Sequence, residues 1–129
     1  MTDAVDLHAA LAAIDQPWTP RTVATMNDYD VRVVSTLGEF TRHSHPETDE
    51  LFLVLRGELT IRLDAGDVTI GPGQMYVVPR GLPHQPLSAL GADVLLVEPR
   101  GTVNTGDTPG ELTAPRRLAA DVAWDAPDG

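Results

Sequence analysis

The stretch Gly38–Ser88, GEFTRHSHPETDELFLVLRGELTIRLDAGDVTIGPGQMYVVPRGLPHQPLS, sets short apolar runs between turn residues. Leu59, Ile61 and Leu63 alternate with Thr60 and Arg62, the period of a half-buried strand. Leu51–Leu55 and Met75–Val78 are further apolar strand candidates, and Asp64-Ala65-Gly66-Asp67 predicts a tight hairpin from Leu59–Leu63 to Val68–Ile70. Gly57, Gly71-Pro72-Gly73 and Pro79-Arg80-Gly81 mark strand corners. Upstream of the quoted stretch, Val31 and Val33 alternate with Arg32 after an Asn27-Asp28 turn. Downstream, Val94–Val97 is a continuous apolar run suited to a strand covered on both faces. Turn signals recurring about every ten residues predict an all-β sandwich or barrel.

The ends read differently. Leu7, Leu11 and Ile14 recur at helical spacing, with Asp3 placed to cap the start and Pro17 to stop it, so a short N-terminal helix is expected. After Pro99 the chain turns polar and Gly-rich, which predicts a loop packing back across the barrel and a last weak strand near Arg117–Val122. The domain reading is a helix and arm over 1–20, one barrel over 21–122 and a fraying tail over 123–129. Trp18 and Trp124 then flank the barrel as packing or dimer contacts.

Composition narrows the partners. Nineteen Asp+Glu oppose nine Lys+Arg, all arginine, for a net charge of -10. Such a surface repels phosphate backbones and anionic lipid, so neither nucleic acid nor membrane is expected as a partner. No cysteine is present, so disulfides, thiolate ligands and a Cys nucleophile are all excluded. The first residues lack a basic leader and a continuous apolar run, and a cytoplasmic location is the default expectation.

Three of the four histidines lie beside β-type runs. His43 and His45 are two apart, which directs both imidazoles to one face of an extended segment. Past the turn Pro46-Glu47-Thr48-Asp49, Glu50 begins the strand Leu51–Leu55, and a hairpin there brings its carboxylate beside the two rings. His84 follows the corner after Met75–Val78. Three neutral imidazoles and a carboxylate make a site for one borderline divalent metal, such as Fe, Mn, Ni, Zn or Cu, and not for calcium or magnesium. Buried without a cation, the same groups would be costly to leave unpaired. His8, on the helix, reads as a solvated surface residue.

With these residues in place the chain resembles the cupin superfamily in both of its motifs. Gly38, His43, His45, Glu50 and Gly57 follow the order of the first, with one residue fewer after Gly38. Gly73, Pro79, Gly81 and His84 keep the spacing of the second, where Ser88 replaces Asn. Asn27-Asp28-Tyr29, Thr48–Phe52 and Gly101–Asp107 are similar to small stand-alone bacterial cupins, a group loosely labelled mannose-6-phosphate isomerase-like. The resemblance implies a double-stranded β-helix, or jelly-roll, barrel with the four named residues as metal ligands. It also implies a homodimer, with the N-terminal helix and the strand near Thr22 at the contact.

If Glu50 points inward, period two sends Phe52 and Val54 inward after it and Thr41 inward before His43. With Tyr76 these are the expected substrate-binding residues of a largely apolar pocket for a small-molecule ligand. Arg42 lies between inward histidines and faces outward, and neither Arg56 nor Arg62 is assigned a catalytic role. The leading reading is a metal-dependent enzyme acting on a small oxygenated metabolite, by oxygenation, isomerisation, decarboxylation or lyase chemistry. The alternative is a non-catalytic binding module, favoured by the lack of a visible general base, since Glu47 and Asp49 sit in a turn. Sugar-nucleotide epimerase chemistry needs a metal-free His relay, and every barrel histidine already belongs to the ligand set.

Overall fold

Asp6 opens the N-terminal helix α1 (Leu7–Ala12), its carboxylate accepting the Ala9 N–H at 3.1 Å. The computed structural model describes residues 4–119, so Asp3, the expected cap, lies outside the described residues. Ala10 and Leu11 pack on Val23, Val33 and Ala119, with Ile14 half-buried beside them. The helical spacing therefore serves contacts within the chain itself.

Seven antiparallel strands follow: β1 (Arg21–Met26), β2 (Tyr29–Glu39), β3 (Glu50–Gly57), β4 (Leu59–Leu63), β5 (Gly66–Ile70), β6 (Met75–Val78) and β7 (Gln85–Pro99). Asn27, at φ 55°, turns β1 into β2, and the expected Asp64–Asp67 hairpin joins β4 to β5. The sheet order is β1-β2-β7-β3-β6, with β4 also pairing β7 and carrying β5.

β7 organises the barrel. It pairs with β2 from Tyr29↔Pro99 to Glu39↔Leu87. On its other side its first residues pair with β4 and its last with β3. Both long strands therefore belong to two half-sheets that face each other, the jelly-roll arrangement. The corner is tight: a Cβ on Gly57, at φ 82°, would lie 2.3 Å from the Gly91 carbonyl oxygen. Only glycine fits there.

Val34, Phe52, Val54, Leu59, Ile61, Ile70, Val78, Val94 and Leu96 fill the interior. In β7 the alternation is cleaner than the continuous apolar run suggested, since Val94 and Leu96 are buried while Leu95 and Val97 are half-buried. The register lines up two apolar rows on the outer face, Val31–Val97–Leu51–Val77 and Val33–Leu95–Leu53–Met75. α1 lies at the β2 end of these rows, and Met75 and Val77 at the other end are exposed.

Arg32, which alternates with Val31 and Val33, is 4% exposed: it pairs with the buried Leu96 on the inner face, where the segment after Pro99 covers it and accepts a hydrogen bond from it through the Thr102 carbonyl at 3.2 Å. The final strand expected near Arg117–Val122 amounts, among the described residues, to one parallel bridge, Thr22↔Leu118, and residues 120–122 lie outside them. The loop from Pro99 does pack back, and Asp107 anchors it by accepting the Ser44 N–H at 2.8 Å and hydroxyl at 2.9 Å. No helix among the described residues is long and apolar enough to cross a membrane.

Candidate metal centre

His43 and His45 lie in an extended segment between β2 and β3, not in a strand; a single bridge, His43↔His84, holds the two halves of the site together. In it each residue's N–H donates to the other's carbonyl, at 3.0 and 2.9 Å, so the two imidazole centroids sit 4.4 Å apart. Gly81, just before His84, donates its N–H to the His45 carbonyl at 2.8 Å. Glu50 opens β3 opposite Val78, which brings its carboxylate under the rings. All four side chains are buried, and their ligand atoms lie within 4.8 Å of one another. The four residues that the sequence pointed to are thus brought to one point, in an arrangement that could hold a metal ion.

The tautomers follow from two carbonyls. His43 Nδ1 lies 2.7 Å from the Thr41 oxygen and His84 Nδ1 2.9 Å from the Leu82 oxygen. A carbonyl only accepts, so each Nδ1 carries the proton and each Nε2 of a neutral ring presents a lone pair. Burial, together with the neighbouring His84, lowers the His43 pKa to about 4 despite the bond to Thr41, so this ring is neutral at pH 7. His43 Nε2 faces His45 Nε2 at 3.2 Å, and His84 Nε2 faces Glu50 Oε1 at 3.3 Å. Burial opposes ionisation of Glu50, but the neighbouring His45 and His84 side chains outweigh it and hold the carboxyl below its ordinary range. The ring nitrogens of three histidines and the Glu50 carboxylate therefore converge in one buried place, an arrangement that a bound cation would complete. Three imidazole nitrogens and one carboxylate oxygen suit a borderline divalent ion.

A cavity of about 30 Å³ adjoins the cluster, with His43 and Glu50 in its wall. Of the expected substrate-binding residues, Phe52 lines it. Val54 is fully buried in the barrel interior, Tyr76 packs half-buried against the core, and Thr41 contributes its carbonyl to His43. The remaining wall includes Trp18, Phe40, Leu96, Thr36, Asn104 and Glu98. Trp18, expected at a barrel end, lies in the core at φ 63°, with its indole N–H donating to the Leu37 carbonyl at 2.8 Å and its ring 4.8 Å from Phe40. Glu98 went unnoticed, although it continues the inward series Val94, Leu96 at period two.

Glu98 belongs to a buried ionic chain. Its Oε1 accepts Arg32 Nη1 at 2.7 Å, and Arg32 Nη2 donates to Asp30 at 3.2 Å. Arg116 closes the chain on Asp30 at 2.8 and 3.1 Å. Burial, and next the neighbouring Glu50 charge, raise the Glu98 pKa well above the ordinary value. Arg42 faces outward as expected and pairs with Asp64; Arg56 is also exposed and Arg62 half-buried, and they pair with Asp93 and Glu39.

The cupin domain family model matches residues 31–98, a span that contains all four clustered side chains. An uncharacterised Bacillus subtilis protein, YdbB, is 35% identical over 77 residues, which cover 59% of this chain and 68% of that one. A crystal structure of a cupin-2 domain containing protein from Shewanella frigidimarina superposes with a TM-score of 0.74 at 36% identity, over 75% of this chain and 95% of the other. A cupin from Silicibacter pomeroyi described as a sugar phosphate isomerase gives a TM-score of 0.51 at 30% identity, over 59% of this chain and 53% of that one. Since the matched span takes in more than half of the 129 residues and runs from near the start of β2 through nearly all of β7, the jelly roll and its histidine cluster are those of the cupin domain family, to which this chain belongs.

Proposed function

We propose that His43, His45, Glu50 and His84 bind one divalent transition metal, and that the protein is a metal-dependent enzyme acting on a small oxygenated metabolite. The observation that carries this reading is the convergence of one ligand atom from each of three buried histidines and from the buried Glu50 carboxylate within 4.8 Å of one another. A bound metal would supply Lewis-acid or redox chemistry to an oxygen of the substrate. The chain's own residues do the rest. Thr41 and Leu82 fix two ring orientations through their carbonyls. Trp18, Phe40 and Phe52 exclude water from the cavity, and its small volume admits only the reacting end of a ligand.

A non-catalytic binding module is the competing reading, and it rested on the lack of an ionisable group beside the ligands. Glu98 in the cavity wall supplies one, which favours the enzyme. Among oxygenase, isomerase, decarboxylase and lyase reactions, the likeness to a protein described as a sugar phosphate isomerase supports isomerisation as the first to assay. The test is metal content of protein purified without chelator or affinity tag, beside His45→Ala. About one equivalent of metal, lost in the variant, is expected; no metal, with stability indifferent to added ions, refutes the reading.

We also propose a homodimer, paired through the outer apolar rows that end at Met75 and Val77. The α1 helix is engaged within its own chain, so the decisive variant is Val77→Asp, expected to run as a monomer in light scattering. A dimer that survives both this change and Met75→Asp refutes the interface.

A further inference from the structure

Thr22 on β1 stands directly opposite Arg32 on β2, and residues paired across antiparallel strands put their side chains on one face. Both are buried, and both line a second cavity, of about 20 Å³, between these strands and the segment Ala114–Arg117. Each brings to it a polar atom with no hydrogen-bond partner among the described residues, the Thr22 hydroxyl and Arg32 Nε. The rest of Arg32 is committed, since its two Nη atoms serve Glu98, Asp30 and the Thr102 carbonyl. Nε can only donate, so what it lacks is an acceptor. A buried donor left without one is costly, and a ligand that accepts recovers that cost. Arg116 and Arg117 stand in the same wall. Among the described residues no acidic side chain lines the cavity, in a chain with nineteen Asp and Glu.

We infer that this cavity is a binding site for a monatomic anion of chloride size, which accepts from Arg32 Nε and from the Thr22 hydroxyl. Water fits the donors less well. A water molecule accepting from both would have two hydrogens of its own to place, and in this wall the Thr102 carbonyl and the Asn104 amide oxygen already accept from Arg32 and Ala114. An anion accepts every bond and has none to return, and the guanidinium charges around it add to its hold. The volume takes one small ion and excludes phosphate or a carboxylic acid. Bound there, the ion ties β1 and β2 to the segment that Thr22 already holds by its backbone, with its N–H on the Arg117 carbonyl at 2.7 Å and its carbonyl on the Ala119 N–H at 2.9 Å. The site is separate from the histidine cluster and stands whether or not that cluster binds metal.

The test uses the full chain, with bromide as the probe. Crystals soaked in bromide should show an anomalous scattering peak in the cavity, within hydrogen-bonding distance of Arg32 Nε and Thr22 Oγ. In solution, exchanging sodium gluconate for sodium bromide at constant ionic strength should raise the thermal unfolding midpoint by about 3 °C or more, since gluconate is too large to enter. Thr22→Val keeps the shape of the side chain and removes the hydroxyl, so the bromide affinity read from that dependence should fall about fivefold or more. Arg117→Gln removes one charge from the wall at an exposed position and should weaken bromide about threefold. A water in the cavity with no anomalous signal overturns the inference, whether or not Thr22→Val folds. So does a bromide stabilisation that survives undiminished in both variants, which would place the ion elsewhere on the protein.

Discussion

His43 and Glu98 make the metal-free protein respond to acid in opposite senses, and Glu98→Gln separates them. His43 titrates at about 4 in the folded chain, against an ordinary value near 6.5. Between those values the unfolded chain binds a proton that the folded chain refuses. Stability must therefore fall as pH drops from about 6.5 towards 4. From pH 7 to pH 5 the loss amounts to about 2 kcal/mol. Glu98, with its pKa raised by burial and by Glu50, works the other way: the folded chain holds a proton that the unfolded chain has released, which favours the folded state as pH falls. In wild type the two tendencies act against each other. Glutamine mimics the protonated acid, retains an acceptor for Arg32 and removes the Glu98 contribution. Urea unfolding of chelator-stripped Glu98→Gln at pH 7 and pH 5 should thus show a drop of about 2 kcal/mol, larger than in wild type. Adding His43→Gln to that background should flatten it. A Glu98→Gln protein equally stable at both pH values would mean that His43 is not a buried neutral imidazole, and the converging lone pairs would go with it.

Gly57→Ala sets a Cβ against the Gly91 carbonyl at a positive φ and should cost about 3 kcal/mol in denaturant unfolding. Gly81→Ala, at φ 77° with open space around it, should cost only about 1 kcal/mol. Gly106→Ala would place a Cβ 2.2 Å from the Ser44 carbonyl oxygen and 3.0 Å from His43 Cδ2, so cobalt affinity should fall about tenfold or more by competition titration while the far-ultraviolet spectrum is unchanged.

The ligand set was legible because each of its residues sits where a local rule operates. Period two turns His43 and His45 to one side, a four-residue turn returns Glu50, and a Pro-Arg-Gly corner delivers His84. Positions fixed by contacts distant in sequence were harder to read. Arg32 looks like the polar member of an alternating strand, and nothing near it announces that Thr102 and Glu98 will cover it. Trp18 adopts a positive φ because Leu37 and Phe40 provide its partners, and a sequence offers no local sign of that. Glu98 was available in principle, as the third inward step after Val94 and Leu96, but the apolar run masked the alternation. Thr41 follows a different rule again: its carbonyl, not its side chain, does the work at the site.

The span of β7 bears on when the site comes into being. Its partners in β2 were made far earlier in the chain, with Val31 against Val97 and Glu39 against Leu87, and no hairpin connects them. Closing loops of that length before any pairing rewards them is slow, so the barrel folds as a late, concerted event. A nascent chain that has reached only Val78 already carries His43, His45 and Glu50, yet has neither His84 nor the strand that holds the half-sheets together. Metal capture is therefore expected to follow folding, and to act as a seal on a finished barrel instead of a nucleus for it.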